Sequence, residues 1–327
     1  MNASADANII VTEEGPSSAA VVLFPEWKPP FVRLTAGEAA GRATVILSGL
    51  ARTIARVAWW TSRGFIRDEN QDAVLFAPAP VERGAMLGIF DGLGGPSGGK
   101  GASAAAAQSF VEQLQRTAPL SIQSFDEQGR KSAGAFLGPR AEMWLRGAMQ
   151  RANAAVRARA EHDRTEGKTT ATVGIASDNI LVVAHVGDSR AYLFRSGELR
   201  QITRDHSMVE ALAEGYMKRD GMSREAALAK ARTSGREHEI LECLGAEGMP
   251  HIDTVMTELL PGDVLLFCTD GLHGVVPDER IAACLASTAS PAEIARSLLE
   301  DAYAYATADN VTMLVAKIGL LEGGGKS

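Results

Sequence analysis

Several short apolar runs in this chain meet an aspartate at one end. Residues 86–90 lead into Asp91-Gly92, 180–186 into Gly187-Asp188 and 264–268 into Thr269-Asp270-Gly271, while Asp309-Asn310 opens the run 311–318. A further aspartate, Asp72, closes the polar stretch Arg67-Asp68-Glu69-Asn70-Gln71-Asp72. Short apolar runs bounded by Gly, Asp and Asn read as strands ending in turns, so each carboxylate is expected at a strand tip. Hard divalent cations take oxygen ligands and keep several waters, and a few carboxylates gathered from strand ends can hold a pair of them. Two such cations can share and activate one water. A single turn of this kind has a plainer reading: Asp91-Gly92-Leu93-Gly94-Gly95 alone is a tight glycine turn needing positive φ. The company of the other aspartates makes it a candidate site.

The elements expected to carry these tips are strands covered by helices. The segment from Ile180 through Ser196-Gly197 to Ile202 reads as an antiparallel meander, because connections this short cannot make a parallel crossover. That argues against a doubly wound parallel sheet. Helices are expected over 102–118, over 140–162, where Leu145, Met149, Ala152 and Val156 recur at helical spacing, and over 291–306, where Ser290 caps and Pro291 occupies the first turn. Residues 205–245, with Gly215 and Gly221 interrupting helical stretches, read as an insertion on the edge of the core where substrate contacts are expected. Pro16, Pro25, Pro29 and Pro30 break up the first fifty residues into an irregular extension with a strand or two.

Taken in order, Arg67…Asn70-Gln71-Asp72, Asp91-Gly92-Leu93-Gly94-Gly95, Val186-Gly187-Asp188-Ser189-Arg190, Thr269-Asp270-Gly271-Leu272 and Asp309-Asn310-Val311-Thr312 resemble the PPM (PP2C-type) metal-dependent serine/threonine protein phosphatases, bacterial branch. The resemblance spans about residues 55–318. It implies an α+β fold, a four-layer α-β-β-α sandwich of two antiparallel sheets flanked by helices. The expected organisation is an extension at 1–52, a phosphatase domain at 53–319 whose residues 205–245 form a flap-like insertion, and a flexible tail at 320–327.

The implied reaction is hydrolysis of phosphoserine or phosphothreonine by direct attack of water bridged between two divalent cations, Mn²⁺ or Mg²⁺. The implied partner is a phosphorylated protein, the product of a serine/threonine kinase. Carried over residue by residue, the pattern makes Asp91 the bridging ligand, the Gly92 carbonyl a ligand to one metal, and Asp270 and Asp309 ligands completing the other site. Asp72 would hold metal-bound water, and Arg67 would bind the substrate phosphate with its forked guanidinium. Asp163 falls where the family has an acidic ligand for a third, weaker metal. Three positions depart from the pattern. Gln71 stands where Glu is common, Leu93 where the eukaryotic branch has His, and Lys168 where Gly is common before Thr169-Thr170. Leu93 leaves the leaving-group proton donor unassigned. Gln71 alone encourages a second reading, a weak or inactive phosphatase fold kept as a binding and regulatory module.

Other chemistries are poorly served. The P-loop imitation 94–100 continues with Gly101 where Ser or Thr is required, and reads as a glycine turn leading into a helix. A cysteine phosphatase needs C-x₅-R, yet Met249, Gly274 and Ser290 stand at the arginine position after Cys243, Cys268 and Cys284. The six histidines lack zinc-site spacing; His206 reads as packing, and Asp188 as a hairpin-fixing carboxylate paired with Arg190 or backbone amides. A net charge of −7 with scattered basic residues argues against nucleic acid. Arg52 and Arg56 interrupt the apolar stretch 43–60, so no membrane span is expected, and residues 1–14 lack the order of a secretory signal. Three cysteines without C-x-x-C spacing suit a reducing compartment, with the cytoplasm as the expected location.

Overall fold

Strands 85–90 (AMLGIF) and 264–268 (VLLFC) bury every residue, without the in-out alternation of a sheet that has one face in water. Such strands need cover on both faces, and the computed structural model supplies it in four layers. It describes residues 21–22, 32–34, 39–48, 53–79, 84–116, 137–236 and 238–320. The chain opens with β1 (Val21–Val22), β2 (Val32–Leu34), β3 (Ala39–Ser48), β4 (Thr53–Ser62), β5 (Ala73–Pro78), β6 (Ala85–Phe90) and β7 (Gly92–Leu93). Helices α1 (Gly95–Arg116) and α2 (Leu137–Asp163) follow, then β8 (Lys168–Thr169), β9 (Ala171–Ser177), β10 (Ile180–Val186), β11 (Arg190–Arg195) and β12 (Glu198–Gln201). The remainder is α3 (Met208–Asp220), α4 (Arg224–Ala231), β13 (Asp253–Glu258), β14 (Val264–Cys268), α5 (Asp270–His273), α6 (Asp278–Leu285), α7 (Pro291–Ala304) and β15 (Val311–Leu320).

One antiparallel sheet runs β1-β2-β5-β6-β9-β10-β13 and the other β12-β11-β14-β15-β4-β3, while β7 and β8 form a separate short pair. Helices α1 and α2 cover the first sheet through Phe90, Phe110, Leu145, Met149 and Ile175. Trp59, Phe76, Leu87, Leu181, Phe267 and Leu314 fill the space between the sheets, with Trp59 stacked on Phe76 at 5.3 Å. Tyr192, Leu266, Ile294, Leu298 and Met313 join the second sheet to its helices. This is the expected α-β-β-α sandwich. No helix among the described residues is long and apolar enough to cross a membrane.

The pairing directions bring the functional candidates to one rim. β6 and β10 both run antiparallel to β9 and end together, before Asp91 and Asp188. β5 is antiparallel to β6, so Asp72, which precedes it, lies at the same end. In the second sheet, antiparallel pairing of β14, β15 and β4 collects Asp270, Asp309 and the loop after Ser62 that carries Arg67.

Three local readings give way to the structure. The segment 180–202 is not one meander: β10 pairs with β9 and β13, β11 with β12 and β14, and the chain crosses between sheets at Gly187-Asp188-Ser189. Both edges of β10 are occupied, so β11 has no place beside it, and Gly187 makes the crossing at φ +111. The expected glycine turn is confined to Gly94 and Gly95, at φ +108 and +81, and runs straight into α1, which begins at Gly95 instead of 102. Gly215 lies inside α3 without interrupting it, whereas Gly221 ends that helix as a left-handed cap at φ +63. The other two expected helices form, and Ser290 and Glu293 close a full capping box on α7.

Ala213, Ala227 and Ala231 give α3 and α4 a small core of their own. Residues 39–48 pair along their length with β4, so the expected boundary at 52/53 falls between two strands of one hairpin. Of the expected extension, residues 1–20 lie outside the described residues and Val21–Val22 form β1; of the expected tail 320–327, Leu320 ends β15 and the rest lies outside the described residues. Phe267 is fully buried between the sheets. Phe267→Ala should lower stability by about 3–5 kcal/mol through the cavity it leaves, read as a shift in urea midpoint at unchanged m-value.

Candidate active site

Backbone and hydroxyl hydrogen bonds hold the rim in shape. The Asp91 carbonyl accepts from the Thr170 N–H at 2.9 Å and the Thr169 hydroxyl at 2.8 Å, and the Asp91 N–H donates to Thr170 Oγ1 at 3.0 Å. Thr170 Oγ1 also shares a hydrogen bond with Ser189 Oγ at 2.8 Å, tying the inter-sheet crossing to Asp91. Asp72 is buried and its Oδ2 accepts from the Thr269 hydroxyl at 3.0 Å. Asn310 acts as a clamp: its Nδ2 donates to the carbonyls of Arg63 and Glu69 at 2.9 and 3.0 Å, and its Oδ1 accepts from the Gln71 N–H at 2.9 Å. The loop bearing Arg67 is thereby fixed at both ends.

Glycine is required where backbone meets backbone. A Cβ on Gly99 in the first turn of α1 would stand 2.6 Å from the Gly92 carbonyl oxygen, and one on Gly98 3.0 Å from Gly167. Only bare backbone lets α1 lie so close to β7. Gln71 seals the contact by donating from Nε2 to the Gly95 carbonyl at 2.9 Å and to Glu69 at 3.1 Å. A glutamate, having no N–H, could make neither bond.

The electrostatics are those of carboxylates crowded in a poorly solvated place. Burial raises Asp91 well above the usual carboxylate range, and the charges of Asp72, Asp270, Asp188 and Asp309 add to it. Burial also lifts Asp72 to about 7, with Asp270 and Asp309 adding and hydrogen bonds from Thr312 and Thr269 opposing. Asp188 rises to about 8 through burial and the charges of Asp270 and Asp205, against Arg190. Asp270 is raised by burial and Asp309, opposed by a hydrogen bond with Asp91 and by the charges of Arg67 and His238. Among the described residues, the one ion pair to Asp72, Asp91, Asp188, Asp270 or Asp309 is Arg67 to Asp309 Oδ2 at 2.5 Å. The other oxygen of Asp309 accepts from the Asn310 N–H at 2.8 Å.

As they stand, no three His, Cys, Asp or Glu side chains among the described residues converge closely enough to hold a metal ion. What fits a cation is the donor set: buried carboxylates that raise one another's pKa, and Asp188 Oδ1, which is buried without a hydrogen-bond partner.

A sequence profile described as Protein phosphatase 2C matches residues 82–212, and one described as Stage II sporulation protein E (SpoIIE) matches residues 226–319. The serine/threonine phosphatase stp of Listeria welshimeri serovar 6b is 30% identical over 266 residues, 81% of this chain and 96% of that protein. The serine/threonine protein phosphatase PstP of Mycobacterium tuberculosis is 33% identical over 85% of this chain and 46% of its own length. The chain belongs to the protein phosphatase 2C family. It is thus a protein-serine/threonine phosphatase by class. The catalytic domain of PstP, solved in complex with two manganese ions, matches the fold with a TM-score of 0.61 at 31% identity, covering 82% of this chain and 99% of that one.

Within this phosphatase fold, Arg67, Asp72, Asp91, Asp270 and Asp309 act on one another electrically at one rim, with Gly92 directly after Asp91. Asp163 does not join them. It ends α2, and its carboxylate is held by Arg159 one turn back. Asp188 lies at the crossing between sheets and not in a hairpin, and Arg190 does not pair with it, its guanidinium gripping Asp205 at 2.7–3.1 Å. The other expected partner, a backbone amide, is present as the N–H of Asp188 itself. His206 is held by packing contacts: its Nδ1 accepts from the Gly187 N–H at 3.3 Å and its Nε2 pairs with Asp253 at 3.1 Å.

Asp72 and Asp188 bind a proton more tightly folded than at their ordinary value of 3.8. Between that pH and about 7–8 the folded state therefore carries more protons than the unfolded one, and stability falls as pH rises. The melting temperature of EDTA-treated protein should drop from pH 5 to pH 8, and Asp188→Asn should flatten that drop.

Proposed function

We propose that this chain hydrolyses phosphoserine and phosphothreonine in a phosphorylated protein, the product of a serine/threonine kinase, with two divalent cations, Mn²⁺ or Mg²⁺. Asp91, the Gly92 carbonyl, Asp270 and Asp309 would hold the pair, with Asp72 engaging it through water. When bound, the cations supply an activated water for direct attack on phosphorus and offset charge on the phosphoryl oxygens. The observation carrying this reading is that burial and neighbouring carboxylates together raise Asp72, Asp91, Asp188 and Asp270 at one rim, a set of buried carboxyls that bound cations would hold ionised. Asp163 serves a third, weaker cation only if Arg159 releases it.

Arg67 has a double use in this reading. Its side chain is 54% exposed and rests on Asp309. With Asp309 engaged by a cation, Arg67 would lose that partner and its guanidinium, whose planar fork suits a phosphoryl dianion, would be available to the substrate. The relatives' names speak for phosphoprotein substrates, and the two manganese ions of the PstP catalytic domain speak for Mn²⁺.

The test is hydrolysis of a phosphothreonine peptide by the purified protein with Mn²⁺ and with EDTA. Turnover should require the metal, and Asp91→Asn should lower it by about a thousandfold or more, with far-UV circular dichroism unchanged. Comparable turnover by that variant would refute the metal assignment. Arg67→Ala should lower kcat/KM about 10- to 100-fold, the size expected for loss of a charge-assisted pair.

A further inference from the structure

The loop that carries Arg67 also carries two large apolar side chains left open to solvent. Phe65 is 74% exposed and Ile66 69%. Isolated exposed hydrophobics are ordinary on a protein surface, but an adjacent pair beside a functional arginine forms a patch. The patch is also rigidly mounted. Gly64 adopts φ +73, and a Cβ there would lie 2.6 Å from the Asp309 carbonyl oxygen, so the loop is pressed onto the turn that bears Asp309. The Asn310 clamp holds the loop at Arg63 and Glu69. The Phe65 ring rests against Tyr303 with centroids 4.4 Å apart, and the Tyr303 hydroxyl is anchored on Ser62 Oγ at 2.6 Å. Phe65 is thus backed on one side and open on the other.

We propose that Phe65 and Ile66 form a selectivity shelf for an apolar side chain of the phosphoprotein substrate, within two positions of the phosphorylated serine or threonine. The inference rests on reading Arg67 as the phosphate-binding residue. Along an extended peptide the chain rises about 3.3 Å per residue and side chains alternate between faces, so with the phosphate on Arg67 a side chain one or two positions away, on whichever face meets the loop, is within reach of its two preceding residues. An apolar side chain there removes its own surface and that of Phe65 and Ile66 from water together. A small or polar one gains nothing from the shelf.

The experiment compares kcat/KM for phosphothreonine peptides identical except at the two positions on either side, carrying Leu or Phe against Gly or Ser. The wild-type protein should favour the apolar peptides by about tenfold, the discrimination that partial burial of one such side chain gives. Phe65→Ser/Ile66→Ser should bring that ratio close to one. Ile66→Ser alone, which leaves the Phe65–Tyr303 contact in place, should reduce the ratio part-way. A wild-type protein that hydrolyses all the peptides alike overturns the shelf and leaves the phosphatase reading standing. An equal loss on apolar and glycine-flanked peptides in both variants also overturns it, since the loop would then serve only to hold Arg67. Failure to hydrolyse any peptide with Mn²⁺ overturns the phosphatase reading and the shelf with it.

Discussion

Like charges held together where water cannot screen them are the constraint around which this protein is built. Asp72, Asp91, Asp188 and Asp270 each sit above their ordinary pKa, through burial first and then through neighbouring carboxylates, Asp309 among them. Coulomb repulsion rises steeply as the effective dielectric falls, so such a cluster would relax apart unless the main chain forbade it. Here it does. The aspartates come from strand ends of two different sheets, and the sheets are joined by a buried apolar interior that cannot shear without opening cavities. The Thr169, Thr170, Ser189 and Asn310 hydrogen bonds then fix the turns themselves. Stability given up at the rim is retained elsewhere in the core, the common relation between a site and its scaffold.

The second constraint is closeness. Helix α1 begins in a run of residues poor at forming helix, each glycine costing about 1 kcal/mol relative to alanine. Backbone contact with β7 and Gly167 outweighs that cost, because no other residue lets the helix approach Gly92. Gln71 belongs to the same arrangement. Its amide bonds the helix start, so the departure from glutamate at this position has a structural use in this chain.

Much of this was legible in the sequence, and for physical reasons. The carboxylates at strand tips follow from apolar runs ending in Asp and Gly, the α7 cap from Ser290 and Pro291, and α2 from its 3.6-residue periodicity. What escaped were features set by tertiary contact. A short link between strands implies adjacency, but in a sandwich it can equally lead into the opposite sheet, and the hairpin expected at Asp188 is absent because Gly187-Asp188-Ser189 makes that second choice. The glycines of α1 carry no periodic signal, since their identity is dictated by a neighbour far away in sequence. β3 lies in a stretch that its prolines and glycines mark as irregular, and it acquires meaning only from β4.

The pairing of β4 with β15 also sets an order in time. Ser62 stands opposite Val311 and Thr53 opposite Leu320, so a strand near the start of the sandwich is bonded to the last described strand. Contacts of such long sequence separation form late, and during synthesis the partner of β4 is among the last parts of the sandwich to leave the ribosome. Until then the chain has neither Asp309 nor the Asn310 clamp that steadies the Arg67 loop. A nascent chain accordingly lacks the aspartate rim as the folded protein has it, and that rim is complete only once the sandwich has closed.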